Sequence, residues 1–294
     1  CDRCWSRGCS PGCKKCLGEQ RRPAAPPPAT VLILVPTREL ALQIQAQLAA
    51  DVRPLGLRCH ALIGGRSVRK DISALRRGQH VVVGNMGRVH DMISKRHLKA
   101  DSLKLLLLDE ADALCGQGSR DVLYEILRFL SPDVQVACFA STLPRDVCEL
   151  FPRFLRDPPL LIVDGGGEHA LSAELLREDG GIHEDGYMPR HLQHLCVVGT
   201  SGAKIRYLAS LWGSLAGPRC IVFCASRRTV DQVAAWLHGA LRGVGCKVRS
   251  VHAEMDQAER ERAVHVFRKG WAQVLVCAQD FARGLDFPDV SVAV

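Results

Sequence analysis

The feature that most constrains this chain is a rhythm. Short, unbroken apolar runs alternate with stretches of helical character, and the runs end in Gly-rich or polar turns. Val31–Val35, Val81–Val83 and Leu105–Leu108 are short and continuously apolar, without the alternation of a strand that has one wet face, and Val134–Ala140 is apolar but for Gln135. Glu39–Leu48, Val68–Arg77 and Arg120–Leu130 lie between them and read as helices. Strands apolar on both faces, separated by helices, imply a parallel sheet covered on both sides. The pattern predicts one α/β domain over residues 31–163, then a linker over 164–190 rich in Gly, Glu and Asp. The rhythm resumes over 191–294. Strands are expected at Leu192–Val198, Cys220–Cys224, Lys247–Val251 and Val274–Val276, and helices at Ala203–Leu215, Thr229–Leu241 and Gln257–Phe267. Val294 lies inside what reads as a further strand.

A length of 294 residues accommodates two domains of ordinary size. No apolar run reaches the ~18 residues of a membrane span, so no membrane association is expected, and no secretory signal opens the chain. The formal net charge of +8 invites a nucleic-acid reading, but its distribution weakens it. Residues 1–30 hold six Lys/Arg against two Asp/Glu, and the rest hold 33 against 29, so the body is only mildly basic. Of 14 cysteines, Cys1, Cys4, Cys9, Cys13 and Cys16 fall in a Cys-, Arg- and Pro-rich leader over 1–30 that is not expected to build a packed core. Cys1-x-x-Cys4 and Cys13-x-x-Cys16 have zinc-ligand chemistry, but eight residues separate them where a zinc ribbon has ~15–20, and a disordered leader is the favoured reading. Cys138, Cys220 and Cys277 stand in apolar strands, as expected of small buried hydrophobes in a reducing, intracellular setting, cytoplasmic or nuclear.

The turns carry the chemistry. Asp109-Glu110-Ala111-Asp112 follows Leu105–Leu108, at the strand end where ligands of open α/β sheets bind. An acid there can hold Mg²⁺ beside a nucleotide phosphate, and an adjacent acid can orient or deprotonate an attacking water. Alone, the four residues favour a solvated acidic helix start. Their neighbours reverse that reading. Pro36-Thr37-Arg38-Glu39-Leu40, Gly64-Gly65, Gly84-Asn85-Met86-Gly87-Arg88 and Ala140-Ser141-Thr142-Leu143-Pro144 also stand at strand ends, with backbone amides, hydroxyls and guanidinium groups suited to phosphate contacts.

In order and spacing these segments resemble the DEAD-box ATP-dependent RNA helicase family, most closely its translation initiation factor 4A branch. The resemblance runs from about Val31 to Val294 and includes continuous text: "SVRKDISALRRGQHVVVG", "LKLLLLDEADAL", "LYEILRFLSPDVQVACFASTLPRDV" and "VHAEMDQAERERAVHVFRKG". It implies two tandem RecA-like parallel-sheet domains that bind ATP, Mg²⁺ and single-stranded or short duplex RNA, with translation-initiation or RNA-processing proteins as partners. It implies that Asp109 holds Mg²⁺, that Glu110 activates water, and that Asp112 and Thr142 couple nucleotide to RNA. Pro36, Thr37, Arg38, Gly64, Gly65, Gly87 and Arg88 would line the RNA path in the first domain, and Gln257 and Arg260 in the second. Arg283, Gly284 and Asp286 match an A-R-G-x-D segment near RNA and the ATP ribose.

Four departures bear on activity. No G-x-x-x-x-G-K-T loop occurs in residues 1–35, where the resemblance expects one. The usual S-A-T reads Ala140-Ser141-Thr142, a displacement expected to turn one hydroxyl to the opposite face of a strand. A usual T-D reads Ala278-Gln279. The Arg-rich last motif does not occur before Val294. Both domains are therefore expected to be incomplete, and these 294 residues inactive in ATP hydrolysis, since an arginine finger alone is worth roughly 10³–10⁵ in rate. A partial helicase and a non-catalytic paralogue acting as an RNA- or protein-binding scaffold both remain open.

Overall fold

The computed structural model describes residues 26–116, 118–142, 147, 150, 153–156, 160–164, 167–171, 193, 196, 198–214 and 219–294. The leader cysteines and the 172–190 portion of the expected linker lie outside them. The first lobe is a five-stranded, all-parallel sheet in the order β2-β3-β1-β4-β5. Its strands are β1 (Val31–Val35), β2 (Cys59–Leu62), β3 (Val81–Asn85), β4 (Leu105–Leu108) and β5 (Gln135–Cys138). The second lobe is a four-stranded parallel sheet, β11-β8-β10-β9, from β8 (Cys220–Cys224), β9 (Val248–Val251), β10 (Val274–Ala278) and β11 (Val292–Ala293). Within the segment read as a linker, Gly167–Leu171 (β7) pairs antiparallel with Leu160–Asp164 (β6).

The apolar runs become central strands because both faces are covered. Leu32 and Leu34 point to one side and pack with Val89, Met92, Leu123 and Ile126 of α3 (Met86–Ser94) and α5 (Arg120–Phe129). Ile33 and Val35 point to the other and meet Leu40 and Ala41 of α1 (Arg38–Val52). Each fully buried Leu contributes roughly 1.5–3 kcal/mol. The second lobe repeats the scheme. Val222, Val248, Val274 and Val276 pack under Val230, Val233 and Leu237 of α7 (Arg227–Ala240). Ile221, Leu275 and Cys277 pack under Ala263, Val264 and Phe267 of α8 (Gln257–Arg268). Cys220 and Cys277 are buried thiols, and burial pushes both up to about 12, which leaves them as inert core groups.

Three expectations need correction. The strand expected over Val134–Ala140 is only Gln135–Cys138, so residues 140–142 are not in a strand and the face-alternation argument for Ser141 does not apply. Gln193, Cys196 and Val198 lie in no regular element, and the rest of the strand expected over Leu192–Val198 lies outside the described residues. Gly84–Arg88, read as a turn, is the end of β3 running straight into α3. Among the described residues no helix is long and apolar enough to cross a membrane.

Candidate functional site

Because every strand of the first sheet runs the same way, its carboxyl ends share one edge. The turns after β1, β2, β3, β4 and β5 are stitched together there. Gly64 N donates to Asn85 Oδ1 at 3.2 Å, joining the β2 and β3 ends. Asp109 N donates to Leu34 O at 3.0 Å, and Ala111 N to Phe139 O at 2.8 Å, joining β4 to its neighbours on both sides. Pro36, Thr37, Gly64, Gly87, Asp109 and Thr142 therefore stand on one rim.

Each turn has a local cause. Thr37 caps α1, its hydroxyl accepting from Leu40 N at 3.2 Å. The Arg38 guanidinium lies against the Gly64-Gly65 turn: a Cβ on Gly65 would meet Arg38 Nη1 at 2.8 Å, and Gly65 adopts φ +78°. Gly87, in the first turn of α3, is exposed, and a Cβ there would meet nothing within 4 Å. Arg88, expected on the RNA path, turns inward instead. Its Nη1 pairs with Asp71, on α2 (Val68–Arg76), and its Nη2 donates to Arg66 O at 2.9 Å.

The acidic turn is desolvated and crowded. Glu110 occupies the left-handed region, φ 51° and ψ 52°, a conformation that costs a non-glycine residue on the order of 1–3 kcal/mol. Desolvation, then the negative charges of Asp112 and Asp109, push the Glu110 carboxyl above its usual range, against smaller pulls from Arg283 and the Ser141 hydroxyl. Desolvation likewise raises Asp109, opposed by its hydrogen bond from Glu110 N at 3.0 Å. Thr142 Oγ1 donates to Asp112 Oδ2 at 2.9 Å, while buried Asp112 Oδ1 has no hydrogen-bond partner among the described residues. The displaced Ser141 and the retained Thr142 thus both serve the acidic turn.

The second lobe meets this rim with the ends of its own strands. Arg283 Nη1 lies 3.8 Å from Asp112 Oδ2. Gly284, at φ +65°, leaves room for Leu40: a Cβ would meet its Cδ2 at 2.6 Å. Gln43 gathers three contacts across the seam, donating to Gly284 O at 3.4 Å and accepting from Asp286 N at 3.1 Å and Arg268 Nη2 at 2.8 Å. Gln257 Oε1 accepts from Arg38 Nη1 at 3.3 Å. Arg260 Nη2 donates to Glu39 Oε2 at 2.8 Å, both side chains being buried. Desolvation raises Glu39 and lowers Arg260, each partly opposed by the other's charge. The seam thus gathers Arg38, Gly65, Asp112, Gln257, Arg260, Arg283, Gly284 and Asp286. Glu39, Gln43, Arg66 and Glu261 also belong to it. The sequence did not single them out as site residues, because one charged or amide residue in a turn or helix carries no local signal.

Asp109 and Glu110 have the chemistry of a Mg²⁺ site beside phosphates. Two raised carboxyls and an orphaned Asp112 oxygen are groups that a cation would satisfy. Mg²⁺ in such sites takes one or two carboxylates and completes its shell with water and phosphate oxygens. The phosphate side lacks its usual partner: no G-K-[ST] loop occurs in the 294 residues.

The family profile described as DEAD/DEAH box helicase matches residues 16–150, and that described as helicase conserved C-terminal domain matches residues 203–294. The ATP-dependent RNA helicase FAL1 of Mycosarcoma maydis is 37% identical over 263 residues, 90% of this chain and 61% of the relative. The ATP-dependent RNA helicase eIF4A of Schizosaccharomyces pombe is also 37% identical, over 90% of this chain and 62% of its own length. The chain thus spans about three-fifths of these curated relatives. Among solved structures, S. cerevisiae Dbp5 bound to RNA and ADP BeF3 superposes with a TM-score of 0.73 at 23% identity, covering 94% of this chain and 64% of that one, which shows the shared fold.

Proposed function

The chain belongs to the DEAD/DEAH box helicase family, and from that premise we propose that its two lobes clasp a single RNA strand along the shared rim. The observation that carries this reading is the seam itself. The carboxyl ends of both sheets face each other there, with Arg38 and Gly65 on one side and Gln257, Arg260 and Arg283 on the other. Backbone amides, glycines and guanidinium groups recognise sugar and phosphate, so sequence preference is low. A strand bent to fit such a rim cannot remain in a regular duplex, which is how closure would part a short helix.

Asp109 would hold Mg²⁺, and Glu110 would orient or deprotonate water. When bound, the ion would neutralise phosphate charge. The Thr142–Asp112–Arg283 line runs from the acidic turn across the seam and offers a path by which nucleotide and RNA sense each other. Turnover also needs a phosphate cradle, and these 294 residues carry no such loop. They are therefore assigned RNA binding without ATP turnover. Ala278-Gln279, in place of a hydroxyl and an acid, favours a scaffold as the second reading.

Two measurements test this. Fluorescence anisotropy should show single-stranded RNA binding that weakens with salt, by about 0.7 log units per log unit of salt for each phosphate contacted. RNA-stimulated phosphate release should be absent. Failure to bind RNA overturns the clasp, and release abolished by Glu110→Gln overturns the assignment of inactivity.

A further inference from the structure

The end of the first sheet opposite the acidic turn carries a site that the helicase reading leaves unused. A cavity of about 310 Å³ opens there, between the last turn of α5, the turn over residues 130–134 and the segment 153–156. Val134 and Val136, at the amino end of β5, line it together with Leu127 and Phe154. Arg128, Arg153 and Arg156 line the same cavity, and among the described residues no Asp or Glu does. Arg153 Nη1 donates to Tyr124 Oη at 3.4 Å. Arg128 and Arg156 are exposed and hold no hydrogen bond or ion pair among the described residues. Guanidinium groups gathered without a counter-charge suit an anion, and phosphate above all.

The chain itself places a hydroxyl in this cavity. Ser131 lines it and is followed directly by Pro132. Ser131 opens a tight turn: its carbonyl accepts from Val134 N at 3.1 Å and its Oγ from Asp133 N at 3.3 Å. Ser131 is half-buried, and Pro132 and Asp133 are exposed. Pro132 has no amide N–H, so the turn suits a kinase that asks for no donor after the hydroxyl. A phosphate at such a turn is ordinarily unfavourable. The carboxyl end of α5 repels an anion, and Asp133 lies two residues on. Here three guanidinium groups stand against one helix end and one exposed carboxylate.

We propose that Ser131 is a phosphorylation site for a proline-directed protein kinase, and that Arg128, Arg153 and Arg156 hold the phosphate it acquires. The transfer takes place in the kinase's active site, with ATP as donor. Ser131 Oγ bonds to the γ-phosphorus, the bond from that phosphorus to the β,γ-bridging oxygen breaks, ADP leaves, and the hydroxyl proton passes to the kinase's base. The phosphate, about −1.5 to −2 in charge at pH 7, ties the segment 153–156 to the end of α5. The rim takes no part, so this goes beyond the RNA-clasp reading and either can fail alone.

The test treats the 294-residue chain with a Ser-Pro-directed kinase and ATP, then applies peptide mapping, phosphorus NMR and thermal unfolding. Phosphate should appear on Ser131, and its signal should vanish in Ser131→Ala. The second ionisation of the phosphate, ordinarily near about pH 6, should fall to about 5.5 or below beside the guanidinium groups. Phosphorylation should raise Tm by about 2–4 °C. In the triple variant Arg128→Gln, Arg153→Gln, Arg156→Gln it should lower Tm instead, because the helix end and Asp133 then act unopposed. A Ser131 left unmodified overturns the site. A phosphate that titrates at its ordinary value, or an equal Tm shift with and without the three arginines, overturns the capture.

Discussion

Glu110 stands where few L residues do. Its partial burial and the two acids beside it act against an ionised carboxylate. A group whose folded pKa is raised binds its proton more readily folded than unfolded. Its contribution is therefore most favourable below the unfolded value and is lost as pH rises through the folded one. Glu110→Gln should thus be more heat-stable than the wild type at pH 7, by a few degrees in Tm. The gain should shrink as pH falls into the carboxylate range, where the native Glu110 is itself neutral. Scanning calorimetry over pH checks this; a Tm below wild type at pH 7 would count against the electrostatic account. The four residues of the acidic turn were legible because they are consecutive and follow an apolar strand. The Glu39–Arg260 pair was not, because its members are 221 positions apart and each resembles an ordinary helix-surface charge.

At the scale of elements, β1, β3, β4, β8, β10 and most helices could be read because burial on both faces leaves an unbroken apolar run, whereas β6 and β7 were not expected. The start of α3 could not. Gly84, Asn85 and Gly87 look like turn formers, but each has a different task. A Cβ on Gly84 would meet the Leu62 carbonyl oxygen at 2.6 Å, so this glycine lets β2 and β3 approach. The Asn85 side chain accepts from Gly64 N instead of capping the helix it precedes. Gly84→Ala should cost about 1–3 kcal/mol, as overpacking against backbone does, in urea unfolding. Thr37→Ala should cost about 1 kcal/mol through loss of the α1 cap. Equal, negligible effects at both sites would contradict these local explanations.

For the whole molecule, periodicity predicted two similar lobes, but not how they meet. The seam is made by contacts up to 243 residues apart in sequence, and no local pattern reports such distances. What the resemblance supplied was the expectation that two sets of strand-end turns share one task. The structure brings nearly all of those turns to one face, but the Arg88 guanidinium serves the first lobe's own turn and that of Arg260 is buried against Glu39. The most direct measurement is photo-crosslinking of a single-stranded RNA to the 294-residue chain, with the modified peptides mapped by mass spectrometry. The account predicts adducts at residues 36–40, 64–66 and 87 of the first lobe and at 257–260 and 283–286 of the second. Adducts confined to the opposite ends of the sheets, around Leu55, Gly78, Val244 and Trp271, would contradict it.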